Sequence, residues 1–304
     1  MPFASTILMI RPAAFGFNEQ TARNNSFQQK ISLENIQQKA LEEFDQMVNT
    51  IRSYGIDVVV IEDTPDPIKP DAIFPNNWFC TMDDGSFHLF PMFAKNRRVE
   101  RRLDLISQLE NNFIVNDTIT WTKDEEQNIF LEGTGSMVMD HDNKIIYACI
   151  SERTHSKLLQ QFADNMGYSV TSFNATDKKG LPIYHTNVLM CIGNNFCVIC
   201  DEVIDAVDRD KVFHSFRNTN KQVISISYNQ MLHFAGNMLQ LQNKNGDYIL
   251  VMSRSAFDSL DQQQKDRLLS HTQLLPIDID TIETIGGGSA RCMMAEIFLQ
   301  SKVQ

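Results

Sequence analysis

The sequence NVLMCIGNNFCVICDEV, residues 187–203, contains an apolar run, a short turn and a second apolar run. Glycine and asparagine in a short turn between β-rich runs are typical of a β-hairpin. The first run begins with an amide side chain, Asn187. The stretch therefore predicts a hairpin whose first strand starts at a polar group.

Four other segments begin in the same way, with a small or polar residue that leads into an apolar run. They are NWFCTM from Asn77, SMVMD from Ser136, NMLQLQ from Asn237 and ARCMMAEIF from Ala290. The five starts are 50 to 59 residues apart, and four of the five runs are followed by a turn and a second strand. This period indicates a repeated structural unit.

Helical patterns separate these hairpins. The segment LENIQQKALEEFDQMVNTIRSYG, residues 33–55, has apolar residues at helical spacing and ends at a glycine. Residues 152–170 and 255–271 share another pattern, a helix followed by a short strand. Because a single unit of hairpin, helix and strand cannot bury its own apolar face, we expect five units to close on one another.

The predicted fold class is therefore α/β, a five-bladed, pseudo-symmetric α/β-propeller that forms one domain over residues 1–304. The alternative is an ordinary α/β sandwich in which the spacing is coincidental. In a propeller, the starts of the five inner strands converge on the axis. They would line one central cavity, near Asn77, Ser136, Asn187, Asn237 and Cys292.

Composition and charge narrow the class of function. Of the 304 residues, 42% are hydrophobic, which is enough for a sizeable core, and the net charge is −11. An acidic chain is unsuited to nucleic-acid phosphate or an anionic membrane. No apolar run approaches the roughly 20 residues that span a bilayer, and the N-terminal segment lacks the features of a signal peptide. We expect a cytoplasmic protein without nucleic-acid or membrane partners, and a homo-oligomer is compatible with the sequence.

The six cysteines predict reduced thiols rather than a disulfide framework. Cys197 and Cys200 form a CxxC pair, but on a strand this spacing places the two side chains on opposite faces. Neither a second CxxC pair nor histidines at zinc spacing accompany it. The sequence therefore predicts no metal and no organic cofactor.

Reactive groups stand at or just before several strand starts. Cys292 follows the glycines of TIGGGSARCMMAEIFLQ, residues 284–300, and Glu132 lies beside two glycines in FLEGTGSM. His185 and Asn187 are two residues apart, which places both on one face of a strand. Thiol catalysis needs a thiolate, a proton-transfer group and a polarising site. In the alternative interpretation, the thiol and the imidazole are core residues and the carboxylate caps backbone amides.

Four motifs in order, PDAIFPNNW, FLEGTGS, YHTNVLM and GGGSARCM, resemble the amidinotransferase, or pentein, superfamily from about Arg11 to Glu296. The similarity is closest to the citrulline-utilisation hydrolases, or citrulline ureidases; arginine deiminases and dimethylarginine dimethylaminohydrolases are further members. The resemblance implies a five-bladed α/β-propeller with Cys292 as the nucleophile and His185 as the general acid and base. It also implies that Glu132 orients the histidine or holds a substrate nitrogen.

The same resemblance implies how the ends of an amino-acid substrate are bound. Asp71 corresponds to a residue that meets the α-amino group, and Arg153 to one that binds the carboxylate. Arg98, or Arg97 beside it, is expected to supply a second carboxylate contact. Residues 11–25 correspond to a mobile active-site lid.

Two positions differ from guanidine-processing relatives, which commonly carry an aspartate where Asn77 stands and in many deiminases another where Asn187 stands. Carboxylates suit a guanidinium cation, whereas an amide both donates and accepts and so suits a neutral ureido group. We therefore predict hydrolysis of the ureido C–N bond of citrulline to ornithine, ammonia and carbon dioxide. The reaction would pass through a thiocarbamate-type intermediate on Cys292.

Two alternatives remain. If the amides only serve the backbone, Asp71 and Glu132 could hold a guanidinium, and the protein would be a hydrolase or deiminase of arginine or a methylarginine. In either case the partner is a small ureido or guanidino amino acid. The second alternative is a non-catalytic interaction protein, since a ribosome-associated translation-factor family has this propeller without the thiol. The combination of Cys292, His185 and Glu132 argues against it.

Overall fold

The computed structural model describes residues 3–31 and 34–302. The strands in these ranges, β1 to β15 in chain order, are Thr6–Arg11, Asp57–Glu62, Phe79–Thr81, Ser86–Leu89, Asp117–Thr120, Val138–Asp140, Ile145–Cys149, Ser169–Phe173, Met190–Ile192, Phe196–Ile199, Gln222–Ser225, Leu239–Gln242, Tyr248–Ser253, Gln273–Ile277 and Ala295–Glu296. They form five sheets of three strands each.

Four of the sheets repeat one topology and contain β3 to β5, β6 to β8, β9 to β11 and β12 to β14. In each, the first two strands form an antiparallel hairpin, and the third lies parallel to the second. A parallel pair requires a crossover connection, usually a helix, because a tight turn reverses the chain. The predicted repeat of hairpin, helix and strand is confirmed.

The fifth sheet combines strands from both ends of the described chain. β15 pairs antiparallel with β1, where Ala295 lies opposite Leu8, and β1 pairs parallel with β2. The N-terminal strand thus takes the place of a second hairpin strand, which explains why the apolar run from Ala290 has none after it. Inner strands of neighbouring sheets touch, including β15 against β3. The five-bladed α/β arrangement is confirmed.

The helices of the described residues, α1 to α10, are Ile36–Ser53, Leu103–Glu110, Gly133–Ser136, Ser156–Met166, Thr186–Leu189, Ala206–Asn218, Tyr228–Leu232, Arg254–Ser259, Gln262–Leu269 and Asp280–Gly286. α1 buries Phe44, Met47 and Ile51 on one face, as its periodicity predicts. The chain leaves it at Gly55, which has a φ of +81°. Residue 33, the first of the predicted helix, lies outside the described residues. Within the described ranges, no helix combines the length and the apolar character that crossing a membrane requires.

Four of the five strand starts lie in single helical turns, whereas Asn237 precedes β12 outside any helix. Asn77 ends the 3-10 turn Pro75–Asn77, Ser136 ends α3, and Cys292 lies in the 3-10 turn Ala290–Met293. In each case the strand begins two or three residues later. The repeat therefore presents polar side chains from turns, which can aim them at the axis.

The strand assignment of His185 and Asn187 is wrong. His185 precedes α5, Asn187 lies within this one-turn helix, and the strand begins only at Met190. Periodicity could not detect the turn, because the short apolar run that follows fits a strand or a helical turn equally well.

Apolar side chains of neighbouring strands pack against one another. The rings of Phe79 and Phe87, from β3 and β4, stack with their centroids 4.9 Å apart, and both are fully buried. Burial of each ring contributes on the order of 1.5–3 kcal/mol relative to an exposed one. Such packing keeps each hairpin rigid beneath the turn that it carries.

Candidate active site

A small cavity of about 20 Å³ lies where helical turns of several blades meet. Its lining combines a thiol, an imidazole, a carboxylate and two guanidinium groups, and it is formed by Thr21, Asn25, Asp71, Phe74, Asn77, Arg97, Arg153, Tyr184, His185, Gly286, Gly287, Gly288 and Cys292. A space of this size holds about one water molecule. An amino acid therefore enters only if part of the lining moves.

Cys292 reaches the cavity through close packing of the glycine-rich loop before it. A Cβ atom on Gly288 would lie 2.9 Å from the ring of Phe74. Gly287 has a φ of +63°, in the left-handed region that favours glycine. The backbone N–H of Cys292 then donates to the carbonyl of Ser289 at 2.9 Å. The glycines thus let the loop lie against the aromatic ring and bring the thiol to the cavity wall.

The thiol of Cys292 lies beside two amide groups, and neither of them lines the cavity, so Asn187 is placed at the sulfur rather than at the predicted substrate position. Its Sγ lies 3.3 Å from Nδ2 of Asn237 and 3.7 Å from Nδ2 of Asn187. Burial raises the pKa of the thiol, and contacts with Ser289, Asn237 and Arg291 oppose the rise only in part. The sulfur is therefore protonated at neutral pH.

His185 is held by a carboxylate behind it. Its Nε2 lies 2.7 Å from Oε2 of Glu132, whose other oxygen accepts a hydrogen bond of 2.9 Å from the Phe93 backbone N–H. Arg153 approaches the same carboxylate, with Nη1 3.5 Å from Oε2. Glu132 does not line the cavity; it fixes the imidazole that does.

The protonation of this pair follows from burial and charge. Desolvation opposes ionisation of Glu132, but Arg153 and His185 outweigh it and lower the pKa of the carboxyl group to about 2. Burial lowers the pKa of His185 to about 4, although Glu132 favours the imidazolium. At neutral pH the carboxylate is ionised and the imidazole neutral. Because a carboxylate only accepts, Nε2 carries the proton and Nδ1 is the basic nitrogen.

The two glycines after Glu132 allow neighbouring turns to approach. A Cβ atom on Gly135 would lie 2.5 Å from Nδ2 of Asn77 and 2.8 Å from Nδ1 of His185. Gly133 has a φ of +47°, and a Cβ atom there would lie 2.3 Å from the carbonyl oxygen of Asn76. Larger residues would separate the amide of the first blade from the imidazole of the third.

Asp71 lies deep in the cavity wall beneath residues of the 11–25 loop. Its Oδ2 accepts hydrogen bonds from Nδ2 of Asn18 at 2.8 Å and from Oγ1 of Thr21 at 3.1 Å. Its Oδ1 is buried without a hydrogen-bond partner in the described residues. Burial raises the pKa of Asp71, and Arg97, 3.7 Å away, opposes the rise. One oxygen is thus available to a ligand.

Arg97, rather than Arg98, lines the cavity. The structure therefore does not place Arg98 where the sequence analysis predicted it, at the substrate. Arg98 donates from Nε to the carbonyl of Met92 and from Nη1 to Glu126. In the 3-10 helix Lys95–Glu100, adjacent side chains leave the axis in different directions, so only one of the two arginines can face inward. The sequence could not distinguish them.

Asn77 is fixed in one orientation. Its Oδ1 accepts a hydrogen bond of 2.8 Å from Nη1 of Arg97, and its Nδ2 donates to Oδ1 of Asn76 at 3.0 Å. Arginine has no acceptor, so the oxygen must face it. The amide therefore places its N–H₂ group, which keeps one unused hydrogen, against Gly135.

The guanidinium group of Arg153 is hydrogen-bonded to residues of the predicted lid. Its Nε donates to Oδ1 of Asn24 at 3.1 Å, and its Nη2 donates to the carbonyl of Thr21 at 3.1 Å. The guanidinium also lies 4.8 Å from the ring centroid of Tyr184. Asn25 anchors the same loop with a 3.0 Å hydrogen bond to the carbonyl of Gly287. The 11–25 loop thus covers the cavity and contacts both groups expected to bind the ends of the substrate.

Two residues at the site, Asn237 and Tyr184, were not predicted from the sequence as site residues. Asn237 touches the thiol of Cys292, and its position at the fourth strand start was the available signal. Tyr184 donates its hydroxyl to the Gly287 carbonyl at 2.9 Å and packs on Arg153. Nothing in the local sequence distinguishes it from a core tyrosine. Among the described residues, no group of three or more His, Cys, Asp and Glu side chains is arranged to hold a metal ion.

The sequence pattern of one family, N,N-dimethylarginine dimethylhydrolase, eukaryotic, matches residues 11–299. The chain belongs to this family. The match confirms membership of the amidinotransferase, or pentein, superfamily that the four motifs predict. No curated protein matches the sequence.

Solved structures share the fold. The substrate-bound N-terminal domain of ArgZ, an arginine dihydrolase from the ornithine–ammonia cycle in cyanobacteria, is 18% identical with a TM-score of 0.76, over 96% of this chain and 97% of that one. AgrE with ornithine and NAD+ is 17% identical with a TM-score of 0.77, over 98% of this chain and 40% of that one. A dimethylarginine dimethylaminohydrolase carrying an S-methyl-L-thiocitrulline adduct is 17% identical with a TM-score of 0.63, over 97% and 100%. At these identities the likeness establishes the pentein fold alone.

Proposed function

We propose that this protein is a thiol-dependent hydrolase of the ureido C–N bond of citrulline or a close analogue, with ornithine, ammonia and carbon dioxide as products. The observation that carries the proposal is the amide of Asn77 in the cavity lining, whose oxygen is held by Arg97 and whose N–H₂ group keeps one hydrogen to donate. A ureido group offers a carbonyl oxygen to such a donor. A guanidinium group has only N–H donors and would meet donor against donor.

The charges of the cavity favour a neutral head group. Among the described lining residues, Asp71 is the only carboxylate, whereas Arg97 and Arg153 are both cations. The Glu132 carboxylate is already engaged by His185 and Arg153. If Asp71 binds the α-amino group, no lining carboxylate remains for a guanidinium cation. A buried cation without an anionic partner is strongly disfavoured.

The ends of the amino acid are assigned by the same charges. The free Oδ1 of Asp71 would accept from the α-ammonium group, and the Arg153 guanidinium would bind the carboxylate once Asn24 releases it. Substrate binding therefore requires the 11–25 loop to open and then to close over the ligand. This exchange of loop contacts for substrate contacts is consistent with a lid.

The reaction begins when the thiol proton of Cys292 passes to Nδ1 of His185 and the sulfur attacks the ureido carbon. The C–N bond to the side-chain nitrogen then breaks, and the imidazolium gives its proton to the departing amine of ornithine. Glu132 stabilises the transient imidazolium. Water, deprotonated by the same nitrogen, attacks the S-carbamoyl intermediate and releases carbamate, which decomposes to ammonia and carbon dioxide.

The direct test is incubation with citrulline, arginine and dimethylarginine separately, with ornithine, ammonia and citrulline measured. We expect ornithine and ammonia from citrulline. The Cys292→Ser protein is the control for chemistry that does not need the thiol. Conversion of arginine or dimethylarginine to citrulline, with no consumption of citrulline itself, would contradict the ureido assignment.

A double substitution, Asn77→Asp with Asn187→Asp, tests the amides themselves. The Asn77 substitution places a carboxylate opposite the ureido oxygen, and the Asn187 substitution places one beside the Cys292 sulfur. Together they should lower kcat/KM for citrulline by at least the roughly 100- to 1000-fold that removal of one polarising donor costs. Asn243→Asp, at a hairpin turn away from the cavity, makes the same chemical change as a control. Undiminished citrulline hydrolysis in the double variant would show that the amides do not select the substrate.

The second candidate is a guanidino-group hydrolase acting on arginine or a methylarginine. It is favoured by the family match, whose name is that of a dimethylarginine hydrolase, and by the arginine dihydrolase and dimethylarginine dimethylaminohydrolase among the structural neighbours. In this case Asp71 would face the guanidinium rather than the α-amino group. Asp71→Asn would then raise KM for arginine while the thiol remained reactive.

A further inference from the structure

Asn237 is held more firmly than any other group that touches the thiol. Its Nδ2 donates to the backbone carbonyl of Asn187 at 2.8 Å, and its Oδ1 accepts from the backbone N–H of Arg291 at 3.1 Å. These bonds fix which end of the amide is which, because a carbonyl only accepts and an N–H only donates. The second N–H of Nδ2 therefore points at Sγ of Cys292, 3.3 Å away.

Asn187 supplies a second and looser donor. Its Nδ2 lies 3.7 Å from Sγ, and its Oδ1 is buried without a hydrogen-bond partner in the described residues. Its side chain is thus anchored at one end only. The two amides flank the sulfur from the third and fourth blades, whereas Cys292 comes from the fifth.

We propose that Asn237 is a catalytic residue that donates a hydrogen bond to the Cys292 thiolate, and that Asn187 is its weaker second donor. The inference rests on the proposed role of Cys292 as the nucleophile. Thiolate formation in a buried cavity needs compensation for the lost water. Two oriented N–H donors provide it without introducing a cation that would repel protonated His185.

The two amide donors also orient the sulfur toward the cavity. Bound to donors on the side of the third and fourth blades, the thiolate keeps its remaining lone pairs for the cavity where the substrate carbon lies. Because Asn237 bridges the backbones of Asn187 and Arg291, a change in either turn would move the donor and the nucleophile together. Asn237 thereby couples three blades at the reacting atom.

The test measures alkylation of Cys292 by iodoacetamide in the full-length protein as a function of pH, with the labelled peptide quantified by mass spectrometry. We expect Asn237→Ala to shift the midpoint of the profile upward by about one pH unit, or about tenfold in thiolate at a fixed pH below the midpoint. Asn237→Asp should shift it further, because a carboxylate beside the sulfur repels the thiolate. Asn187→Ala should give a smaller upward shift.

Asn243→Ala is the matched control. Asn243 is a buried asparagine of the same hairpin, bonded to the backbone at Tyr54 and Asn245 and remote from the thiol. It should lower the melting temperature and leave the alkylation midpoint unchanged. Other charged or titratable groups around the thiol stay constant across these variants: Asp71, Arg97, Arg153, Tyr184, His185 and Arg291.

An alkylation midpoint in Asn237→Ala equal to that of wild type would overturn the proposal. If Asn237→Ala fails to fold, a midpoint equal to that of wild type in Asn237→Asp overturns it instead. Alkylation needs no substrate, so its outcome is separate from that of the proposed function. If no citrulline is hydrolysed but the midpoints shift as expected, the ureido assignment fails and the role of Asn237 stands. If citrulline is hydrolysed and the midpoints do not move, the reverse holds.

Discussion

Behind one wall of the cavity, the side-chain hydrogen bonds of the Cys292 sulfur run to the amides of Asn187 and Asn237, which are not among the lining residues. On the other wall, His185 is bonded to the Glu132 carboxylate, which Arg153 approaches in turn. The thiol is thus set by burial and neutral dipoles, whereas the imidazole is set by fixed charges. Both the thiol and the imidazole are uncharged at neutral pH.

The two settings have the same effect on charge separation between the thiol and the imidazole. Burial raises the pKa of the thiol and lowers that of the imidazole to about 4, so an ion pair between them is disfavoured. Amide donors beside the sulfur and the carboxylate behind the imidazole each stabilise the charged form of one partner. Together they make the pair accessible during the reaction rather than before it.

The largest effect should come from removing the nucleophile. Cys292→Ser should lower kcat by roughly 10⁴- to 10⁶-fold, the range for loss of a covalent catalyst. The melting temperature should stay close to that of wild type, because a hydroxyl can accept the same amide hydrogen bonds. Wild-type turnover in this variant would remove Cys292 from the mechanism, and a Cys191→Ser protein controls for loss of another buried thiol.

The charged wall is probed by Glu132→Gln. The change keeps the size of the side chain but removes the charge that holds the His185 proton on Nε2, so kcat should fall roughly 10²- to 10⁴-fold. Alkylation of Cys292 in the absence of substrate should change little, since its neighbours are the amides. A large change in the alkylation midpoint would show that the two walls are not independent.

Glu132→Gln should also differ from wild type in the pH dependence of its stability. The pKa of Glu132 lies at about 2 in the folded protein against an ordinary value of 4.5. Its contribution to the free energy of unfolding is therefore complete above pH 4.5 and is lost as the pH falls toward 2. Wild type should lose stability relative to Glu132→Gln over this window, measured as denaturant midpoints. Parallel curves would contradict the ionised assignment.

A smaller effect is expected behind the amide wall, at Glu283. This buried carboxyl group contacts the hydroxyl of Ser289, in the loop before Cys292, and burial raises its pKa to about 7. Its protonated form is favoured on folding, so the contribution to stability is present below pH 4.5 and is lost as the pH rises toward 7. The melting temperature of Glu283→Gln relative to wild type should therefore rise across this window and level off above it. A constant difference would refute the assignment.

The smallest effect is expected at Arg98. Its guanidinium binds the Met92 carbonyl, Glu125 and Glu126 outside the cavity, so Arg98→Ala should leave kcat/KM within about twofold of wild type. Arg97→Ala, which removes the partner of Asn77, is the contrasting variant and should be severely impaired. Equal losses in both would mean that the cavity is lined differently when substrate is bound.

The order of elements could be predicted from the sequence because hairpin turns and amphipathic spacing are local signals. The turns that carry Asn77, Asn187 and Cys292 could not, because one helical turn is too short to create a period. The choice between Arg97 and Arg98 also depends on a contact that is not local in the sequence, the hydrogen bond of Arg97 to Asn77.

By itself the sequence determined the five repeats and the superfamily, and it predicted Cys292, His185 and Glu132 as the catalytic residues, since each stands in a local motif. Only the tertiary structure decided that Asn237 touches the sulfur, that Asn77 faces Arg97, and that the 11–25 loop covers the cavity. These contacts join residues that are distant in the sequence, and those of Asn237 and of the 11–25 loop also cross between blades. Their geometry is fixed by how the blades pack around the axis, which no local stretch of sequence encodes.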